Sequence, residues 1–457
     1  MKKLKMILLT TCTLFTMLCT LTINSLSLAN EKFTFEIPSS FNPIGSGAKA
    51  LSMGGAFIAI CDDATASSWN PAGLIQLQYP EVSFVVDYIP RRKENVTFYS
   101  TNNWSGRISN FKLNYLSMVV PFSDQMTMAI AYQNLYNLDR EWDTEFIHPD
   151  YLEPVTIKQH QNGDLYALGF SLCYDFNPLT FGITINNWDN NKWEQENNQK
   201  GKIGFEGINT IEHDIYKNET YTFKGWNFHI GFLWDITKNK NLRLAGVIKT
   251  PFKADINHTT KEFSKEFYYP ENKLESEFKE YENSEKLCMP LSYGIGLAHR
   301  FLNKKLWISF DIYRTHWNDY ELEDKDGTKR SPINWKKQGE YNVDPTTWFR
   351  LGFEYKEPTF KIYGKTTAIK FRGGIFYDPA PADNSPDDYY GFALGGGISY
   401  EWLVFDLAYQ FRFGNNVGES MYPGLGFSQD IKECKIYASV VLHMPCDRSF
   451  FSFSGQN

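Results

Sequence analysis

From Leu403 to Phe413 the chain alternates without a break. Leu403, Phe405, Leu407, Tyr409, Phe411 and Phe413 share one face, and Val404, Asp406, Ala408, Gln410 and Arg412 share the other. A period of two is the period of a strand. One face is wholly aromatic or aliphatic and the other carries charge, which fits lipid outside a β-barrel and a polar lumen within. A soluble sandwich would set the same apolar face against a core, and periodicity alone does not separate the two. Similar runs recur around Trp226–Asp235, Leu242–Lys249, Leu291–Ala298, Leu306–Tyr313, Ile369–Phe376 and Phe392–Glu401. About fourteen such strands begin near residues 81, 111, 125, 163, 179, 222, 241, 290, 305, 346, 366, 390, 402 and 434, and an even number is the rule for bacterial single-chain barrels.

The connections decide between barrel and sandwich. Short links near Pro121–Asp124, Asn177–Pro178, Thr237–Lys240, Asn303–Lys304, Glu357–Lys365 and Glu401–Trp402 alternate with long ones near 90–108, 136–162, 189–221, 257–289, 318–345, 378–389 and 414–433. Outer-membrane barrels have short periplasmic turns and long external loops. A sandwich has no reason to gather every long loop at one end. The expected fold is therefore all-β, an antiparallel transmembrane barrel in the outer membrane of a Gram-negative-type bacterium.

Composition agrees with this. Mean hydropathy is −0.41, a value that long polar loops and one-sided strands produce in a barrel. Aromatics reach 16 %. After the N-terminus no run of about twenty apolar residues provides a helical span. Net charge is −7 with no basic cluster, which argues against nucleic acid as a partner.

Lys2, Lys3 and Lys5, the apolar stretch from Met6, and Ser27-Leu28-Ala29 read as an export signal over 1–29, with Asn30 first in the mature chain. Cys12 and Cys19 fall in that signal. Cys61, Cys173, Cys288, Cys434 and Cys446 remain, an odd number without a CxxC pair, so a zinc site is not expected and at least one thiol stays free. A Cys434–Cys446 disulfide suits an oxidising compartment, but a strand of about ten residues between the two would hold them apart.

Ser46–Leu74 is dense in Gly and Ala, carries the Gly54-Gly55 pair and ends on Asn70-Pro71-Ala72. Small residues let backbone pack against backbone, which suits a compact plug. Asp62 and Asp63 read as the N-cap and first turn of a short helix. Pro71 forces Asn70 out of the helical region, so that helix stops near Trp69. The stretch GAKALSMGGAFIAICDDATASSWNPAGL closely resembles the N-terminal hatch of the FadL/TodX (OmpP1) outer-membrane transporters. Gly225-Trp226-Asn227-Phe228, Pro290–Trp317 and Arg372–Tyr400 extend the resemblance along the mature chain. The chain departs from the family at Asp378-Pro379-Ala380-Pro381 and at Tyr389-Tyr390.

The resemblance implies a monomeric barrel of fourteen strands for long-chain fatty acids or aromatic hydrocarbons. A ligand would shift a hatch, and a kinked strand would open a lateral exit to the lipid and lipopolysaccharide. The implied organisation is a signal over 1–29, a hatch over 30–79, a barrel over 80–446 and a tail over 447–457. The hatch motif is Gly54, Gly55, Asp62, Asp63, Asn70, Pro71 and Ala72, with Asn70-Pro71-Ala72 read either as an anchor or as a turn that ends the helix. A carboxylate head group needs a cation inside the barrel. Arg372, Lys370, Lys249, Arg243 and Arg412 face inward on this register, with Phe376 beside them and Asp311, Asp406 and Glu401 as their expected partners.

In 257–289, Leu274, Phe278 and Tyr281 have helical spacing, as do Phe263 and Phe267. These read as a solvated amphipathic cap or, with 189–221 as the facing wall, as a surface that captures substrate. No HExxH, GxSxG or paired-carboxylate motif points to catalysis, and no cofactor or metal is expected. A barrel of the same fold that serves as a secretion or assembly scaffold, with its loops as a docking surface, is the alternative.

Overall fold

The computed structural model describes residues 45–98, 101–106, 110–146, 155–204, 210–269, 272–357, 359–421 and 427–444. The stretch 1–29 expected as an export signal with Cys12 and Cys19, residues 30–44 of the expected hatch, Cys446 and the expected tail 447–457 lie outside them.

Fourteen antiparallel strands form the wall. They are β1 (Glu81–Phe98), β2 (Asn110–Pro121), β3 (Met126–Asn137), β4 (Val155–Asp175), β5 (Leu179–Gly204) and β6 (Thr210–Asp235). Next come β7 (Leu242–Lys249, continued by Phe252–Tyr269) and β8 (Lys273–Met289, continued by Ser292–Phe301). The circuit ends with β9 (Leu306–Thr315), β10 (Thr346–Lys356), β11 (Lys365–Tyr377), β12 (Tyr390–Tyr400), β13 (Leu403–Val417) and β14 (Ser428–His443). β14 pairs with β1 from Glu81↔His443 to Thr97↔Ser428, so the sheet closes on itself. Closure removes the free edges that hydrocarbon does not tolerate.

The two faces follow the alternation. Leu407 on β13, Ile295 on β8 and Phe371 on β11 are exposed on the outer face, while Asp406, Ala408, Gln410 and Arg412 are buried on the inner one. No helix among the described residues is long and apolar enough to cross a membrane.

The stretches 189–221 and 257–289, expected as loops, are largely strand. β5 and β6 each run 26 residues, whereas a tilted membrane crossing needs about ten. Their outer halves extend beyond the lipid as a sheet that continues through β7 and β8. The segment 257–289 is a hairpin and not a helical cap. Phe263 stands opposite Phe278 and Phe267 opposite Leu274. Cross-strand pairs of this kind, together with Lys261–Glu280 at 3.2 Å, stabilise strands in water. The neighbouring β6 supplies a ready template for the ladder. Helical spacing of three apolar residues carried less weight than that template.

Residues 45–79 sit within the barrel. They form α1 (Ala48–Ser52), α2 (Ala66–Trp69) and a 3₁₀ turn (Pro71–Gln76). This segment contributes most of the largest buried apolar cluster, with Phe57 against Trp69 at 5.9 Å. The α2 helix ends at Asn70, which is extended (φ −153°, ψ 104°), as the following proline requires.

Candidate functional site

The lumenal segment is held by inward side chains from around the wall. Asp311 on β9 accepts the Phe57 and Ile58 amides at 2.7 and 2.8 Å. Arg350 on β10 donates to the Gly54 carbonyl at 2.8 Å, and Gln410 on β13 to the Leu51 carbonyl at 2.8 Å. Tyr115 on β2 donates to the Ala64 carbonyl at 2.8 Å, and Thr184 on β5 to the Ser67 carbonyl at 3.2 Å. Arg243 on β7 donates to Gln76. Each bond joins a strand to backbone or side chain of the segment, so the polar lumen serves as its docking surface.

Asn70 joins both partners. Its Nδ2 donates to the Phe232 carbonyl of β6 at 2.9 Å and to the Ile58 carbonyl at 3.1 Å, while its Oδ1 accepts from the Ala72 amide at 3.2 Å. Pro71 opens the 3₁₀ turn. Glycines on the wall make the close approach possible. A Cβ at Gly231 would stand 2.0 Å from Asn70 Oδ1, and one at Gly352 would stand 2.2 Å from the Met53 carbonyl oxygen. Gly54 and Gly55 have φ of +67° and +76°, a conformation glycine adopts without penalty.

The two aspartates divide their work. Asp63 Oδ1 accepts from the Thr65 amide at 2.9 Å and from its hydroxyl at 2.5 Å, ahead of α2. Thr65 occupies the N-cap itself, so Asp63 acts just ahead of the capping position and not at it. Burial pushes its carboxyl up to about 6. Asp62 binds Lys49 Nζ at 2.5 Å, and Lys49 lies 3.9 Å from Glu354 of β10.

The inward cations do not converge on one place. Arg372 is bound to Glu354 at 2.6 Å and to Asp406 at 2.7 Å. Arg412 faces Asp378 at 3.4 Å and Glu433 at 3.7 Å. Arg243 meets Asp235 at 2.7 Å. Phe376 packs beneath Arg350 at 5.4 Å, and Lys370 shares the inner face of β11 with Arg372. Of the expected acidic partners, Asp406 holds an arginine. Asp311 holds backbone amides instead, and Glu401 binds Lys365 at 2.7 Å. Both departures have a local cause: Asp311 faces the turn at Phe57, and Glu401 sits in the β12–β13 turn beside the end of β11.

Lys249 alone of the five proposed ligand residues lines a cavity of about 70 Å³. Tyr136, Trp188, Phe252, Tyr313 and Trp348 form its aromatic sides, and His229 joins it from β6. The imidazole also bonds to the Ser67 backbone, so one residue touches both cavity and lumenal segment. The alternation of β6 placed His229 inward, but nothing in the sequence pattern brought Trp188, Tyr313 and Trp348 together with it.

Among the described residues the ladder stops short between β2 and β3. β2 and β3 pair from Pro121↔Thr127 up to Tyr115↔Gln133 and share no ladder beyond. The β1–β2 register shifts between Val85 and Val86, and that of β3 with β4 shifts between Asn134 and Tyr136. These irregularities turn the two strands apart. Side chains span the gap: Lys112 on β2 reaches Asp139 at 2.8 Å and Asp164 at 2.5 Å, and Asn114 donates to the Asn134 carbonyl at 3.3 Å.

On the outer hairpin, Leu274 and Phe278 are each 61 % exposed beside Phe263. Phe263 also stands opposite Tyr216 of β6, which widens the patch. Among the described residues Cys61, Cys173, Cys288 and Cys434 are free thiols, and no group of His, Cys, Asp or Glu could hold a metal ion.

A family model described as outer membrane protein transport protein (OMPP1/FadL/TodX) matches residues 42–410. Among solved structures, a Pseudomonas aeruginosa FadL homologue is similar at 14 % identity and a TM-score of 0.58, over 89 % of this chain and 99 % of that one. The Pseudomonas putida toluene transporter TodX is similar at 14 % identity and a TM-score of 0.59, over 88 % and 99 %. The Ralstonia pickettii toluene transporter TbuX gives 13 % and 0.54, over 89 % and 100 %. No curated protein matches in sequence.

Proposed function

Since this chain belongs to the OMPP1/FadL/TodX family of outer-membrane transport proteins, we propose that it takes up hydrophobic compounds across the outer membrane through a lumen gated by residues 45–79. The observation that carries this reading is the arrangement of three parts. An aromatic cavity lies among the wall residues, its His229 bonds to Ser67 of the lumenal segment, and the β2–β3 ladder stops at Tyr115↔Gln133.

The physical task is to carry an apolar molecule past the charged lipopolysaccharide layer. The patch of exposed Phe263, Leu274 and Phe278 with half-buried Phe267 offers a first surface outside it. The cavity holds the compound while the segment, seated by Asp311, Arg350 and Asn70, blocks the lumen. Asn70-Pro71-Ala72 and the Gly54-Gly55 turn serve as its anchor and hinge. Release runs sideways through the β2–β3 seam into the membrane, so the compound never enters water. One chain suffices, because β14 closes on β1. The reading uses no cofactor, no nucleic acid and no catalytic step. The scaffold alternative gains no residue-level support from the hairpin patch, which the capture role already uses.

The test is entry of a fluorescent apolar probe into vesicles carrying the purified full-length protein. Saturable entry above protein-free vesicles is expected. Entry equal to the protein-free rate refutes the reading.

A further inference from the structure

The rim of short turns differs from one side of the barrel to the other. Three neighbouring turns gather lysines and exposed apolar side chains. The β8–β9 turn holds Leu302, Lys304 and Lys305, all exposed. The β10–β11 connection projects as a hairpin, with Phe360–Ile362 paired to Lys365–Thr367. Tyr363 and Gly364 close it with φ of +48° and +79°, the signs that a two-residue type I′ turn needs. The β12–β13 turn ends on exposed Trp402. Backbone bonds join the three turns: the Lys356 amide donates to the Lys305 carbonyl at 2.8 Å, and the Glu401 amide to the Thr366 carbonyl at 3.2 Å.

One side of the hairpin is apolar. Phe360 stands opposite Thr367 and Ile362 opposite Lys365, positions with the same outward parity as exposed Phe371 and Ile375 on β11. The hairpin therefore continues the lipid-facing side of the wall. Tyr363 at its tip is 95 % exposed. Aromatic rings settle where hydrocarbon gives way to headgroups, and lysine stems reach the same level with their charges in water.

The charge on this sector is largely uncompensated. Its three turns carry Lys304, Lys305, Lys356, Lys361 and Lys365 against Glu357 and Glu401. Lys365 pairs with Glu401 at 2.7 Å, and among the described residues the other four lysines have no carboxylate within ion-pair distance. The adjacent β6–β7 turn adds Lys238 and Lys240, the latter against Asp235 at 3.5 Å. Across the barrel the β2–β3 and β4–β5 turns expose Phe122 and Phe176. Those turns hold Asp124 and Asp175 and no Lys or Arg. Apolar contact is thus common to the rim, whereas the cations are gathered on one side.

We propose that the β8–β13 sector of the periplasmic rim binds anionic phospholipid of the inner leaflet. Phe360, Ile362 and Trp402 lie at the acyl boundary, and Lys304, Lys305 and Lys361 meet the headgroup phosphates. The outer face that the hairpin continues is already a lipid contact, and each cation near a surface of anionic lipid adds to the attraction. The binding is independent of what the lumen carries.

The experiment is photocrosslinking of the full-length protein in vesicles of equal parts phosphatidylglycerol and phosphatidylcholine. The photoreactive p-benzoylphenylalanine replaces Phe360 in one sample and Phe176 in another, and mass spectrometry identifies the lipid adducts. At Phe360, phosphatidylglycerol adducts are expected to exceed phosphatidylcholine adducts at least about threefold, with near-equal yields at Phe176. Lys304→Gln, Lys305→Gln and Lys361→Gln together should bring the ratio at Phe360 down to that at Phe176. Equal yields at Phe360, a bias that survives the three substitutions, or the same bias at Phe176 overturns the proposal. So does an absence of lipid adducts at Phe360, which would leave the hairpin clear of the membrane. Should the substituted protein fail the heat-modifiable gel test for a folded barrel, the protein with its lysines intact is tested in salt instead. In about 1 M salt, where screening shortens to ~3 Å, the bias at Phe360 should collapse, and a bias that persists overturns the proposal.

Discussion

Replacing Asp311 with alanine tests whether the lumenal segment is held by the wall or merely fills it. The Asp311 carboxylate accepts two backbone amides, Phe57 at 2.7 Å and Ile58 at 2.8 Å, in a site with no solvent exposure. Each buried N–H left without an acceptor costs about 1–3 kcal/mol. Two such groups weaken the seating by about 2–6 kcal/mol, or roughly 30-fold to 20,000-fold in the opening equilibrium. Part of that is recovered if water enters the space the carboxylate leaves, which places the expected result toward the lower figure. Asparagine keeps one acceptor oxygen and should fall between wild type and alanine. The assay is hydrogen exchange on the detergent-purified protein, read at the amides of Phe57, Ile58, Ile60 and Cys61. The latter two bond to the Phe57 carbonyl and should loosen with it. Strand amides of β9 and β10 serve as the internal control. Protection at 57–61 that changes by less than about threefold, with the strands intact, would show that packing alone seats the segment and that the carboxylate is dispensable.

Gly231→Val puts branched carbon where Asn70 Oδ1 now lies 2.0 Å from a Cβ position. It should unseat the Asn70–Phe232 bond and raise proteolysis within residues 45–79, and an unchanged digestion pattern refutes the close approach. Leu407, 47 % exposed on the lipid face, should cost about 2–4 kcal/mol as arginine near the midplane; a neutral result in a urea titration reverses the inside–outside assignment. Asp63 titrates near 6 in place, above the ordinary 3.8, because it is buried. The seating is therefore firmest with the carboxyl protonated, weakens as pH rises from about 4 to 6 and is flat above that range. Asp63→Asn should flatten the profile of exchange at Thr65 and Ala66, and a slope that persists assigns the effect elsewhere. Lys112→Met removes the contacts to Asp139 and Asp164 at 2.8 and 2.5 Å. Spin labels at Phe111 and Asn137 should then report a broader distance distribution, and an unbroadened one means the seam is held by other groups.

The barrel was legible in the sequence because a membrane wall imposes two constraints at once. One face of each strand must meet lipid, and every backbone group must pair within the sheet. The first writes the alternation seen in Leu403–Phe413, and the second requires the strands to close into a barrel. Where the strands leave the lipid, the first constraint ends and the alternation fades. The stretches 189–221 and 257–289 therefore read as loops although their backbone stays in the ladder. Strand length beyond the membrane is set by the neighbouring strand, which sequence periodicity does not record. The lumenal segment was legible through its small residues and through Pro71, which fixes the end of α2. Its partners were not. Asp311 lies more than two hundred residues from the amides it holds, and an inward aspartate on a strand looks the same whether it meets an arginine or a backbone turn. The same holds for the candidate site. Alternation placed Lys249, Arg372 and Arg412 on the inner face together, and only the packing separates them. Arg372 and Arg412 stand in clusters of carboxylates, whereas Lys249 lines an aromatic cavity. A polar lumen thus holds two populations of cation. One stands against carboxylates, and the other lines an aromatic cavity. What divides them is the set of neighbours that the closed wall brings across the lumen.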